Sequence, residues 1–134
     1  MTPAVELSFL QDGAQSADQV AGQLASFIGV AKKSLDIAIY DLNLSGTPAD
    51  QLREALRAAS ARGVAIRLLY NVDFPNPIPV PPPSQADPVY IESLGISHKP
   101  VSGIPDLMHH KYIVRDGGTG DATLGGGGVS ARAP

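Results

Sequence analysis

Two nearly uninterrupted apolar runs, joined by one well-delimited amphipathic segment, constrain the fold of this chain more than any other feature. The runs are residues 34–40 and 64–70, and the segment between them has helical periodicity and closes at Gly63. Strands that are apolar at almost every position are typical of a sheet covered on both faces. A strand–helix–strand unit of this kind joins parallel strands by a right-handed crossover. The pattern therefore predicts an α/β fold.

The predicted helices carry recognisable start signals. Ser16, followed three residues later by Gln19, predicts a capping box before an amphipathic helix. In the second helix, Thr47 is the predicted N-cap, Pro48 the first helical position and Asp50 a candidate to complete a second capping box. These signals place a helix before each of the two apolar runs.

Shorter segments complete the predicted architecture. Residues 5–10 alternate between apolar and polar, which predicts a half-buried strand. Asp87 and Pro88 predict the start of a short helix, and residues 96–101 a short strand after it. Together these elements predict an α/β fold with a mixed, mostly parallel sheet, flanked by helices on both faces.

The composition predicts one domain, over residues 1–123. Of the 134 residues, 43% are hydrophobic and 17% charged, which is ordinary for a globular protein. Within the domain, residues 71–84 hold six prolines and are predicted to be an extended loop. Residues 124–134 are rich in glycine and are predicted to be disordered.

Charge and cysteine content restrict the classes of function and location. The formal net charge of −3 provides no overall basic field for nucleic acid. The absence of cysteine excludes a disulfide framework and a thiolate metal site. No stretch is as long and apolar as a membrane span, and the first residues lack the regions of a signal peptide. We therefore predict a cytoplasmic protein.

Residues 107–116 carry the side chains best suited to chemistry. This apolar, β-branched run is predicted to be a strand, and it contains His109, His110, Lys111 and, at its end, Asp116. Since alternate side chains of a strand point the same way, His109 and Lys111 should share one face while His110 lies on the other. An imidazole can attack or accept a proton near neutral pH, and an ammonium can hold an anion. The pair predicts chemistry at a phosphate.

Two other interpretations of these residues are less favoured. A zinc site would need His98, His109 and His110 to converge, whereas adjacent strand histidines diverge and no carboxylate lies at ligand spacing. A phosphate-binding glycine loop at residues 117–120 or 125–128 lacks the helix start and lysine that such a loop requires. We therefore expect neither a metal nor a cofactor.

The spacing His109-x-Lys111-x4-Asp116 resembles the HxKxxxxD motif of the phospholipase D superfamily, and residues 33–70 look like the N-terminal half-domain of that family. The resemblance covers about residues 5–116. It implies that His109, Lys111 and Asp116 are catalytic residues. His109 would attack phosphorus to form a phosphohistidine, Lys111 would balance the developing charge, and Asp116 would orient its neighbours rather than act on substrate. It also implies that no metal is needed.

The sequence departs from that family in two respects. The family continues into Gly-Ser-x-Asn, which helps to bind phosphate, whereas residues 123–126 here read Thr-Leu-Gly-Gly. The family site takes two HxK motifs, from one long chain or from an isologous dimer, whereas this sequence holds one. The chain is thus expected to be half of an enzyme, completed by a second copy or half-domain, or a truncated product.

Two functions remain open on this evidence. The first is a metal-independent phosphodiesterase that hydrolyses or transfers a phosphodiester through a phosphohistidine, on either a phospholipid or a nucleic acid. The second is a non-catalytic domain that binds anions at Lys111. The motif favours the first, and the two departures favour the second.

Overall fold

The computed structural model describes residues 7–78 and 80–126. Along this part of the chain the helices and strands are, in order, α1 (Ala17–Gly29), β1 (Ser34–Ile39), α2 (Gly46–Ala61), β2 (Ala65–Val72), α3 (Pro88–Ser93), β3 (Ser97–Ser102), β4 (Lys111–Arg115) and β5 (Thr123–Gly126). None of these helices combines the length and apolar character needed to cross a bilayer.

The strands form one five-stranded sheet in the order β3-β2-β1-β4-β5. β1, β2 and β3 pair in parallel. β4 runs antiparallel to β1, and β5 runs antiparallel to β4, so four of the five strands point the same way. The predicted α/β fold with a mixed, mostly parallel sheet is confirmed.

The core lies between the sheet and the helices. Leu35 and Ile37 of β1 and Ile66 and Leu68 of β2 are buried, and they belong to one apolar cluster that includes residues of all three helices. Parallel pairing aligns these residues in register on one face of the sheet. Burying this face removes most of the apolar surface of the two central strands from water, which is the main term that stabilises the fold.

The opposite face of the sheet is less covered. It presents Arg67, Leu69 and Tyr112, all exposed. Within the described residues the helices therefore pack on one face, where helices on both faces were predicted. Ala38 of β1 and Leu69 of β2 are apolar residues on the second face, so each strand is almost continuously apolar in the sequence. This is why the sequence predicted helices on both faces.

Local start signals gave both correct and wrong helix starts. The capping box of α1 is confirmed, since Ser16 Oγ accepts from Gln19 N at 3.1 Å and Gln19 Oε1 accepts from Ser16 N at 2.8 Å. The prediction of Thr47 as N-cap of α2 is wrong. The N-cap is Ser45 and the first helical residue is Gly46, at φ +63°, so the helix begins two residues before the predicted Thr47 cap and Pro48 start. The Asp50 carboxylate accepts from Arg53 Nη1 at 2.8 Å and completes no capping box.

The predicted first strand is also wrong where it can be checked. Residues 7–10 form no strand, and Leu7, Phe9 and Leu10 are exposed; residues 5–6 lie outside the described residues. The Gln15 side chain instead fixes this segment beside α1, by donating to Phe9 O at 2.6 Å. An alternating apolar and polar pattern forms a strand only when a neighbouring strand supplies hydrogen bonds. The pattern itself does not show whether such a neighbour exists.

Predictions for the remaining segments had mixed outcomes. Residues 124–126, predicted to be disordered, belong to β5 and pair with β4; residues 127–134 lie outside the described residues. The proline-rich segment has no helix or strand at residues 73–78 and 80–84, although β2 extends into its first two residues. The predicted cap of α3 is confirmed, because Asp87 Oδ1 accepts from Val89 N and Tyr90 N at 3.0 and 3.1 Å.

Truncation of two adjacent leucines in β2 tests the one-sided core. Leu68 is 1% exposed and Leu69 is 41% exposed. Leu68→Ala should lower the free energy of unfolding by about 2–5 kcal/mol, because it leaves a cavity in the core. Leu69→Ala should cost about 1 kcal/mol or less. Urea denaturation measures both values, and equal losses would mean that the second face is covered as well.

Candidate functional site

The residues of the predicted motif divide between a strand and the segment before it. β4 begins at Lys111, so His109 and His110 precede the strand, although a strand over residues 107–116 was predicted. The main chain at His110 still follows β1, because His110 O accepts from Tyr40 N at 2.8 Å. β1 ends at Ile39, which is paired with Lys111. The motif therefore begins at the edge of the sheet where β1, β2 and β3 end.

His109 and Lys111 lie side by side, as predicted. Lys111 Nζ is 3.2 Å from His109 Nε2. The His109 side chain is exposed and Lys111 is half-buried. When the imidazole is neutral with its hydrogen on Nδ1, Lys111 donates to the Nε2 lone pair. An anion placed beside this pair can meet a nucleophilic nitrogen and an ammonium at once.

The neighbouring histidines are separate from the pair. The His110 ring packs edge to face against Tyr112, with centroids 5.7 Å apart. His98 is half-buried on β3, where its Nε2 lies 3.0 Å from Glu92 Oε2. β3 and β4 are separated by β2 and β1, at about 4.8 Å per strand spacing. The three histidines of the zinc interpretation are therefore not brought together.

Tyr40 is an aromatic residue of this site that sequence reasoning missed. Its ring is buried, at 5% exposure, directly after β1. The ring centroid lies 4.7 Å from that of His109 and 5.1 Å from Lys111 Nζ. Its position at the carboxyl end of a parallel strand was a usable signal, because ligands bind along that edge of α/β sheets.

Asn71 supports the segment that leads to His109, and this contact was also missed. The Asn71 side chain is buried, its Oδ1 accepts from Met108 N at 3.0 Å, and its Nδ2 donates to Asp73 O at 3.1 Å. Gly103 packs against Asn71 and the backbone of Asp73. A Cβ there would lie 2.5 Å from Asp73 O and 2.8 Å from Asn71 Oδ1, so no larger residue fits without displacing the backbone.

Asp116 lies at the other end of β4, separated from His109 by about 20 Å of extended chain. Its side chain is buried, and Oδ1 accepts from the backbone amides of Lys32, Lys33 and Ser34 at 3.0, 2.6 and 3.1 Å. Its own amide donates to Ser34 O at 2.8 Å. The structure thus brings His109 and Lys111 together and places Asp116 where it joins β4 to the start of β1.

The hydrogen bonds to the Asp116 carboxylate shift its acidity. The Lys33 amide, with the Ser34 and Lys32 amides, lowers the pKa of Asp116 below its ordinary value of 3.8, and burial partly opposes this effect. A lowered pKa means that folding favours the ionised form. The carboxylate therefore stabilises the fold fully above pH 3.8, and this contribution is lost as the pH falls through the lowered value.

Replacement of Asp116 tests whether its carboxylate makes the stability of the fold depend on pH. We expect Asp116→Asn to lower the melting temperature at neutral pH. The amide loses the negative charge that attracts the three backbone amides, and its NH2 group replaces Oδ2, which in the wild type accepts from Lys32 N at 3.2 Å. The difference in melting temperature between wild type and Asp116→Asn should become smaller as the pH falls below 3.8. Asp121→Asn is the matched control, because the Asp121 carboxylate is exposed and forms a long ion pair with Lys32 Nζ, at 3.8 Å. A difference that stays constant down to pH 2 would contradict this role of the carboxylate.

Replacement of Asn71 should loosen the approach to His109. Asn71→Ala removes two partly buried hydrogen bonds of a buried side chain and should cost about 1–3 kcal/mol of unfolding free energy. It should also accelerate hydrogen exchange at the Met108 amide. Asn76→Ala, at an exposed position of the proline-rich segment, is the control. Unchanged protection of Met108 in Asn71→Ala would show that this bond does not hold the segment.

Comparison with known proteins identifies the family of this chain. A family profile described as cardiolipin synthase, PLD-like domain, matches residues 24–129. No curated protein matches the chain. The matched range contains the whole sheet and the motif from His109 to Asp116. The chain belongs to the PLD-like domain family of the phospholipase D superfamily.

Proposed function

We propose that this chain is a phospholipase D-like phosphodiesterase that works through a phosphohistidine on His109. The observation that carries the proposal is the 3.2 Å contact between His109 Nε2 and Lys111 Nζ. It joins a nucleophilic nitrogen with a fixed positive charge, and the imidazole lies exposed where a substrate can reach it. Family membership supports the same chemistry.

The first half of the reaction forms the covalent intermediate. Lys111 Nζ first transfers its hydrogen bond from His109 Nε2 to a non-bridging phosphate oxygen, which frees the Nε2 lone pair. The lone pair then attacks phosphorus, the N–P bond forms, and the bond from phosphorus to the leaving alcohol oxygen breaks. The departing alkoxide takes a proton from an acid on the opposite side. In the second half that group removes a proton from water or another alcohol, whose oxygen attacks phosphorus and releases His109.

Lys111 stabilises charge in both halves. As bonds change at phosphorus, negative charge accumulates on the non-bridging oxygens, and an ammonium already in place lowers the energy of that arrangement. Lys111 is half-buried, which limits its freedom and strengthens its electrostatic effect. In this proposal lysine charge does the work that a metal ion does in other phosphodiesterases, so activity should persist in a chelator.

The acid on the opposite side would come from a second HxK motif. The sequence holds one such motif, so the proposal places the second imidazole on another copy of the chain or another half-domain. A two-fold arrangement would bring one His109 on each side of the same phosphorus. The exposure of His109 is compatible with such a partner.

Asp116 is proposed as a positioning residue rather than a group that touches substrate. Its carboxylate is occupied by three backbone amides at the far end of β4. By fixing where β4 joins β1, it determines where Lys111 and His109 emerge. This is the role that the family resemblance implied for it.

Charge around the site favours a substrate with a single phosphodiester. Asp41, Asp73 and Asp106 lie on the segments that follow β1, β2 and β3, around the edge where His109 lies. Binding to a polynucleotide depends on neutralising several phosphates at once, which these carboxylates oppose. The description of the matching family, cardiolipin synthase, names a lipid-forming enzyme. We therefore favour a phospholipid over a nucleic acid.

A second candidate function is anion binding without turnover. It is favoured by residues 123–126, where β5 supplies Thr-Leu-Gly-Gly in place of the polar Gly-Ser-x-Asn. A site with fewer donors holds phosphate less well during reaction. In this alternative Lys111 binds an anion and His109 has no covalent role.

Hydrolysis of bis(p-nitrophenyl) phosphate in excess EDTA tests the proposal. Wild type should release nitrophenol, with a specific activity that rises with protein concentration as copies pair. His109→Asn should lower the rate by at least about 10³-fold, because the nucleophile is lost. His110→Asn, the adjacent control, should leave it nearly unchanged.

Two results would decide against catalysis by His109. Equal rates in wild type and His109→Asn would remove the imidazole from the mechanism. No turnover by pure protein at any concentration, together with phosphate binding that Lys111→Ala abolishes, would establish the anion-binding alternative instead.

A further inference from the structure

We propose that the aromatic ring of Tyr40 is a positioning surface that holds His109 and Lys111 in the relative orientation needed for phosphoryl transfer. This inference rests on the proposed function of that pair. It assigns no contact with substrate to Tyr40, and it concerns the ring rather than the hydroxyl group.

Both members of the pair touch the same ring. The His109 imidazole meets it at an interplanar angle of 64°, with centroids 4.7 Å apart. Lys111 Nζ lies over the ring, 5.1 Å from its centroid. A cation is attracted to the electron-rich face of an aromatic ring, and two aromatic rings favour a tilted contact of this kind. The two contacts hold His109 Nε2 and Lys111 Nζ next to each other beside the Tyr40 ring.

The ring is itself held in position by the sheet. Tyr40 N donates to His110 O at 2.8 Å, and Tyr40 O accepts from Asn71 N at 3.3 Å, so its main chain joins the start of the motif to β2. The half-buried Phe74 ring packs edge to face on Tyr40, with centroids 6.2 Å apart. These backbone bonds do not depend on the side chain, so the ring can be replaced without removing them.

The pair needs such a surface because the backbone alone does not fix the orientation of either side chain. The His109 side chain is exposed, and the Lys111 ammonium lies at the end of a long side chain with several rotatable bonds. Without the ring, the ammonium would extend into water and the imidazole would rotate. The Tyr40 hydroxyl is not needed for this role. Burial, with Asp41 nearby, raises the pKa of Tyr40, so the ring stays uncharged at neutral pH.

Two substitutions separate the ring from the hydroxyl group. Tyr40→Phe keeps the ring, and Tyr40→Leu removes it while keeping an apolar side chain. The first readout is the set of nuclear Overhauser contacts between the His109 ring protons and the Lys111 side chain, which requires no turnover. The second is kcat for bis(p-nitrophenyl) phosphate. Phe74→Leu, which removes the supporting ring from a loop, is a further variant if Tyr40→Leu fails to fold.

We expect Tyr40→Phe to keep the contacts and the rate. Tyr40→Leu should lose the contacts and lower kcat by about 10²-fold, the effect of misplacing a reacting group by about 1 Å. Phe74→Leu should weaken the contacts. Retention of the contacts in folded Tyr40→Leu would overturn the inference, and so would their retention in Phe74→Leu if Tyr40→Leu does not fold. An inactive wild type that keeps ring-dependent contacts would refute the proposed function but not the positioning role.

Discussion

The antiparallel pairing of β4 with β1 is the constraint on which the rest of the site depends. One carboxylate, that of Asp116, fixes one end of this pairing by accepting from three successive backbone amides, Lys32 to Ser34. At the other end Ile39 lies opposite Lys111. Because side chains alternate along a strand, a slip of one residue would turn Lys111 to the other face of the sheet. The aspartate and the lysine of the motif are thus coupled through the strand between them.

The direction of the strands explains why the chemistry gathers at one edge. β1, β2 and β3 run in parallel and end there, whereas β4 runs the opposite way and begins there. Tyr40 follows β1, and Asn71 lies near the end of β2. The motif therefore meets side chains from two strands that are distant in sequence. A wholly parallel sheet would place the start of β4 at the opposite edge.

Features that depend on neighbouring residues were predictable from the sequence. The capping box of Ser16 and Gln19, the cap at Asp87 and the shared direction of His109 and Lys111 all follow from spacing within a few residues, and the structure contains each of them. Membership of the phospholipase D superfamily was also recognisable, because the motif is short, contiguous and chemically demanding.

Features that depend on distant residues were not predictable. Residues 124–126 form a strand because β4 supplies their hydrogen bonds, and residues 7–10 do not form one because no strand of the described residues pairs with them. The support from Asn71 to Met108 spans 37 residues. The start of α2 differed because Gly46 adopts a conformation that spacing does not reveal. In each case tertiary contacts or local backbone geometry outweigh the sequence signal.

A crystal of the protein soaked in orthovanadate would test the shared anion site of His109 and Lys111 most directly. Vanadate copies the five-coordinate geometry of phosphorus during transfer. We expect vanadium bonded to His109 Nε2, with Lys111 Nζ in contact with a vanadate oxygen and the Tyr40 ring beside both. Vanadate on His110, or on surface lysines with His109 free, would contradict the central claim that this imidazole and this ammonium serve one phosphate.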